Sequence, residues 1–264
     1  MENEVVWRIV SFSVILSGIG LWEIVAPRRP LTTRKNQRWF ANLSMIAIAT
    51  LVVRFTFPLL PVGLAIIAQE QGWGLLNFVT LPSWLEIFLA VIALDFVIYL
   101  QHVMFHFLPV LWRLHRMHHS DLDLDASSGN RFHPVEIMIS IGIKLGAVLI
   151  IGPAPIAVLL FEILLNAAAI FNHGNIRIPL SIDRWLRTVV VTPDMHRVHH
   201  SVIPRETNSN FGFSLSCWDF LCGTYRAQPG AGHLEMIIGL KDYRDPARLS
   251  LPRLLLQPFI TDKD

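Results

Sequence analysis

Apolar residues dominate five stretches of this chain, 5–25, roughly 40–68, 84–108, 134–151 and 154–172, and polar residues gather between them. About 20 apolar residues at 1.5 Å rise cross the hydrocarbon of a bilayer. The pattern predicts an all-α, polytopic membrane helix bundle with about four spanning helices. Trp7 and Trp22 bracket the first run, as in an interfacial belt. Pro58 and Pro61 predict an end or kink in the second. Gly152-Pro153-Ala154-Pro155 separates the last two runs, which predicts a tight helical hairpin. Residues 109–133 are polar and rich in histidine, and from 173 onward the chain is mixed and not expected to span. Within that part, 182–193 reads as interfacial and LPRLLLQPF (251–259) as surface-lying.

Composition supports a membrane protein: 53% of the 264 residues are hydrophobic and 16% charged, with mean hydropathy +0.48. Soluble domains carry nearer about 25% charge. The net charge of +2 decides little, but Arg28, Arg29, Arg34, Lys35 and Arg38 crowd one short loop. Such clustering marks topology rather than nucleic-acid binding, and it places the loop in the cytoplasm and the N-terminus outside. Two crossings later, the segment from His106 to His133 is cytoplasmic, and the hairpin returns His173 and the C-terminal region to the same side. The start MENE carries no basic region before the first run, so a retained helix is expected rather than a signal peptide. Cys217 and Cys222 are too few for a disulfide framework or a zinc ribbon and are read as ordinary thiols.

Ten of the eleven histidines lie between positions 102 and 200. His102 and His106 are four apart. His115, His118 and His119 form H-x-x-H-H, and the pattern recurs as His196, His199 and His200. Residues three and four apart share a helix face, so each group aims imidazoles at one place. Imidazole is the commonest protein metal ligand, and so many nitrogens exceed the needs of one ion. Structural zinc would favour thiolates, and no H-E-x-x-H of a metalloprotease is present. Imidazoles suit iron, copper and zinc alike, so spacing predicts a dinuclear site without choosing the metal. Binding needs neutral rings, so metal and activity are expected to fall as pH drops through about 6.5.

Buried charges add detail. Asp95, Tyr99, His102 and His106 lie on one helical stripe, and Asp95 is expected to orient a histidine through its far ring nitrogen. Asn175, two residues beyond His173, is expected to hydrogen-bond a ligand. Asp95, Tyr99 and Asn175 are the candidate catalytic residues. Lys144 and Glu162 are costly inside a membrane and are expected to pair across the hairpin.

DFVIYLQHVMFH (95–106), HRMHH (115–119), RFHPVE (131–136), FNHGNIRIP (171–179), TPDMHRVHHS (192–201) and NSNFGFSLSCWDFLCGTYR (208–226) together resemble the fatty acid hydroxylase or sterol desaturase superfamily of integral-membrane di-iron oxygenases. The resemblance covers about half the chain. It implies N-terminal membrane helices with the basic loop at 1–83, a catalytic domain at 84–226 and a cytosolic or interfacial tail at 227–264. A cytosolic helical, histidine-rich region would cap the bundle. It implies two iron ions, with zinc a substitute in purified protein, held by His102, His106, His115, His118, His119, His173, His196, His199 and His200. Some members have a further histidine pair where this chain has His173 and Asn175, which leaves His133 as a candidate tenth ligand or a helix cap. The implied activity is hydroxylation or desaturation of a lipid, sterol or fatty acyl, with O2 and a separate ferredoxin- or cytochrome-type donor and its reductase. Arg113, Arg116, Arg184, Arg187 and Arg197, with the loop 28–38, would offer that donor a positive face. The competing readings are a non-redox metal-binding membrane protein, either transporter or sensor, and a bis-histidine heme carrier. Transport would spread histidines and acids through the membrane depth, whereas here they gather at one end.

Overall fold

The computed structural model describes residues 3–260, so the first two residues and the last four of the expected tail lie outside the described part. It is helical throughout, and β pairing among the described residues is confined to isolated bridges. The long helices are α1 (Glu4–Val25), α2 (Lys35–Thr56), α3 (Pro61–Gln71), α4 (Ser83–Phe107), α5 (Pro109–His119), α6 (Pro134–Ile151) and α7 (Pro155–His173). Shorter ones follow: α8 (Leu180–Leu186), α9 (Pro193–His199), α10 (Pro204–Thr207) and α11 (Cys217–Leu221).

Proline punctuates this order. It occupies the first helical turn of α3, α5, α6, α7 and α9, where its missing N–H costs nothing. Among the described residues five stretches are long and apolar enough to cross a membrane, the second running from Lys35 to Phe78 with its break between α2 and α3. The break falls at Pro58 and Pro61, as the sequence predicts. The hairpin between α6 and α7 turns on Gly152 at φ 66°. A Cβ there would sit 2.4 Å from the Trp73 carbonyl oxygen, so the position needs glycine twice over.

α7 packs against α1, α3 and α4, and α6 against α2, α3 and α4. Their shared core holds Val62, Ala65, Leu94, Ile98, Val148, Val158 and Phe161. Large apolar side chains such as Ile24, Phe55, Phe78 and Trp84 point outward from the bundle. That surface suits lipid and not water. Lys144 donates to Glu162 Oε1 at 2.7 Å, the expected hairpin pair, and Arg8 of α1 adds a second cation to the same carboxylate.

One end of the bundle is closed by polar chain. The segment 120–131 between α5 and α6 is buried throughout. Arg38 enters it from α2 and donates to Asp121, Asp125, Ser128 and the Asp123 carbonyl. The loop before α2 clasps the same end: Arg28 pairs with Asp194, and the backbone N–H groups of Thr32 and Thr33 donate to Asp123 Oδ2. Glu23 Oε1 accepts from the backbone of Ala126 and Asn175. The basic cluster is therefore partly internal glue, with Arg28 and Arg38 held by carboxylates. The stretch 251–259 also differs from expectation. It is a strap, with Leu254 buried against Met45 and Met117 and the Gln257 carbonyl accepting from Arg116.

Candidate metal centre

Two groups of buried histidines meet at the closed end. His102, His106, His115, His119 and His199 form one, and His118, His173, His196 and His200 the other; in each, one ring nitrogen per residue lies within 4.8 Å of all the others. Helical geometry sorts them. α4 presents His102 and His106 one turn apart. In α5, His115 and His119 share a face and turn to the first group, while His118 faces the second. In α9 and the residue after it the division reverses: His196 and His200 share a face towards the second group, and His199 turns to the first. His173 ends α7. His119 and His200 stack with centroids 4.4 Å apart, so the two groups adjoin.

In six of the nine rings the outer nitrogen is committed to an acceptor. Nδ1 of His102 donates to the Phe211 carbonyl (2.8 Å), that of His106 to Asn208 Oδ1 (3.2 Å), that of His115 to Glu136 Oε1 (2.6 Å) and that of His199 to the Ser209 carbonyl (2.8 Å). A neutral imidazole has one N–H and one lone pair, so in these four rings the lone pair is on the inward Nε2. Nε2 of His106, His115, His119 and His199 is buried without a hydrogen-bond partner. In the second group two of the four rings are held in this way, while Nδ1 of His196 and His200 is buried without a partner. His118 Nδ1 donates to the Arg131 carbonyl and His173 Nδ1 to the Ala169 carbonyl. Their two Nε2 lone pairs then face each other at 3.1 Å, with His196 Nε2 3.1 Å from that of His173. Facing lone pairs repel, and orphaned buried acceptors are costly. A cation at each convergence point would remove both penalties, so the residues fit a metal at each.

Electrostatics point the same way. Burial, reinforced by neighbouring imidazoles, holds His118, His119, His196, His199 and His200 well below the ordinary value of 6.5. These rings are neutral at physiological pH, the state a metal ligand requires. A cleft of about 330 Å³, walled by Trp112, Val202, Asn208 and Tyr243, reaches His106 from outside.

Residues 87–224, just over half of the chain, match the fatty acid hydroxylase family. The chain belongs to this family. The ornithine lipid hydroxylase OlsE of Rhizobium tropici is 30% identical over 152 residues, 56% of this chain and 44% of that protein. Human alkylglycerol monooxygenase is 30% identical over 55% of this chain and 31% of its own length. Methylsterol monooxygenase 2-2 of Arabidopsis thaliana is 26% identical over 62% and 63%. The matches thus span less than two thirds of each of these relatives. No solved structure matches the chain.

Within this fatty acid hydroxylase fold, nine of the ten expected ligands fall in the two clusters. His133 does not: it caps α6, its Nδ1 accepting from the Val135 N–H, while Nε2 lies 3.2 Å from the Leu255 carbonyl. Asp95 touches no histidine. It accepts from the Trp218 indole (2.9 Å) and the Leu215 N–H (3.2 Å), fastening the segment after the third histidine group to α4. Tyr99 meets Thr224 at 3.0 Å, and Asn175 brackets the backbone of Arg29. All three brace the fold around the clusters rather than facing them. The expected positive face is also corrected, because Arg116, Arg187 and Arg197 are buried and only Arg113 and Arg184 of the five are exposed. Their charges are turned inward, Arg187 onto Asp183 and Arg197 onto Asp194.

The residues that sequence reasoning missed are the histidines' outer partners, Glu136 and Asn208, together with Asp219. Asp219 accepts from the N–H groups of Phe211 (2.7 Å) and Gly212 (2.8 Å) and so fixes the carbonyl held by His102. Glu136 sits in the quoted RFHPVE, but nothing in its spacing pairs it with His115 across 21 positions.

Proposed function

We propose that this protein is a membrane-bound lipid hydroxylase whose nine clustered histidines hold two iron ions. The observation that carries the reading is the pair of converging buried imidazole groups, six of whose nine rings meet an acceptor on the outer nitrogen. His102, His106, His115, His119 and His199 would hold one ion, and His118, His173, His196 and His200 the other. Iron held in this way would supply the activation of O2 for attack on an unactivated C–H bond, with the electrons drawn from a separate donor. The overall conversion is R–H + O2 + 2 electrons + 2 protons to R–OH + H2O. Hydroxylation rather than desaturation is supported by the relatives' names, which are hydroxylases and monooxygenases. Those names cover three lipid classes, so the reading extends to an apolar lipid and no further.

The chain's own contribution is positioning. The Phe211, Ser209, Arg131 and Ala169 carbonyls fix which nitrogen of each ring faces inward. The bundle keeps bulk water from the clusters, and the surrounding bilayer delivers the substrate. Electrons come from a separate donor of ferredoxin or cytochrome type. The remaining positive charges of the loop before α2 support a cytoplasmic side for the clustered end and the C-terminus.

The test is expression with iron supplementation, metal analysis of purified protein, and lipid profiling with and without O2 against His118→Ala and His199→Ala. The wild type is expected to carry two irons and to produce a lipid 16 Da heavier, labelled by 18O2. Each variant is expected to lose the product and about one iron per chain. An iron-loaded wild type that changes no lipid when donor and O2 are supplied would refute the hydroxylase reading.

A further inference from the structure

His115 is unlike the other eight clustered histidines. Its outer nitrogen meets a carboxylate, Glu136 Oε1 at 2.6 Å, where its neighbours meet carbonyls, an amide or nothing. Both partners are buried, with side chains 3% and 5% exposed. Glu136 Oε2 has no hydrogen-bond partner, so the carboxylate is directed at the imidazole alone. A buried negative charge is expensive unless a positive one stands close by. Through the ring of His115 it would face a cation held among the five histidines. The four-histidine group has no equivalent: its Nδ1 partners are the Arg131 and Ala169 carbonyls, and Nδ1 of His196 and His200 has none.

We propose that Glu136 is a positioning residue that makes the two metal sites unequal. It locks His115 with its lone pair inward and strengthens that nitrogen as a donor, so the five-histidine site fills first and empties last. The site with four histidines and no carboxylate is the labile one. Metal would then be gained and lost in a fixed order, and a half-loaded protein would hold its ion beside the cleft at His106. The inference rests on reading the clusters as a two-metal cage.

The test is a cobalt(II) titration of metal-free, full-length protein in detergent, followed by visible absorption and by competition with a chelator. Wild type is expected to bind two equivalents in two resolved steps. Glu136→Gln keeps the shape and an acceptor oxygen for His115 but removes the charge. It should weaken the tighter step roughly 10- to 100-fold, leave the weaker step unchanged and merge the two. Glu136→Asp, which retains the charge, should restore part of the separation, and it serves as the informative variant if Glu136→Gln fails to fold. The proposal is overturned if Glu136→Gln binds as wild type does, if Glu136→Asp separates the steps no better than Glu136→Gln, or if either variant weakens both steps alike. A wild type that binds no second equivalent would instead overturn the cage reading itself.

Discussion

Replacing Arg38 by methionine removes the charged side chain that ties α2 to Asp121 and Asp125 of the buried segment. The guanidinium is 1% exposed and both carboxylates are fully buried, with contacts of 2.8 Å to Asp121 and 2.6 Å to Asp125. Methionine fills much of the space but leaves two aspartates facing an apolar side chain. Breaking a buried pair in this way costs about 3–5 kcal/mol, because the remaining charge stays desolvated. A second route gives a similar magnitude. Burial pushes the Asp121 carboxyl upward, yet Arg38 and Arg131 outweigh it and hold it at about 2 against an ordinary 3.8. At about 1.4 kcal/mol per pH unit, that depression alone corresponds to roughly 2–3 kcal/mol, on the order of the lower end of the first figure. Because the folded value lies below the unfolded one, this stabilisation is complete above about 4 and is lost as pH falls through 2. Arg38→Met should therefore lower the melting temperature at pH 7 by roughly 10 °C, at about 2–4 °C per kcal/mol. The gap should stay constant down to about pH 4 and narrow only as the pH falls from there towards 2. The assay is thermal unfolding in detergent by circular dichroism, with iron content measured on the same samples, since the segment hangs between His119 and His133. A variant within 2 °C of wild type at pH 7 and fully loaded with iron would refute the reasoning.

Two further outcomes follow from the site. His118, His119, His196, His199 and His200 are held below 6.5 by burial, so below that pH the unfolded chain binds more protons than the folded one. Chelator-treated protein should be insensitive to pH above about 6.5 and lose about 1.4 kcal/mol per pH unit for each such histidine below it; a melting temperature unchanged from pH 7.5 to 5.5 would contradict this. Gly129→Ala places a Cβ 2.3 Å from the Ala169 carbonyl oxygen, the acceptor for His173. It should cost about 1–3 kcal/mol by overpacking and lower metal content at the four-histidine cluster first, read by cobalt titration; unchanged second-step binding would sink it.

The division between what was legible and what was not follows the range of the forces. The helices were readable because each is set by local rules: unbroken apolar runs, Pro58 and Pro61 at the break, Gly152 at the hairpin. The histidines were readable because three- and four-residue spacing fixes a face before any tertiary contact forms. The Lys144–Glu162 pair was readable too, since a short hairpin leaves few other partners in an apolar bundle.

Outer partners were another matter. Asp95 lies on the same stripe as His102, and the sequence suggested that it served a histidine. The folded chain instead brings Trp218 to it from 123 positions away. His133 has the right residue type for a ligand, but Pro134 starts α6 beside it and the side chain is used as a cap. The arginines looked like a surface because charge is normally solvated; Asp121, Asp183 and Asp194 draw three of them inside. By itself, then, the sequence determined the membrane helices, the histidine faces and the end of the bundle where they gather, all consequences of periodicity. Only the tertiary structure decided which imidazoles share a cluster, that Glu136 stands behind His115, and which charges are buried. Those depend on contacts between distant segments, for which one chain's spacing carries no signal.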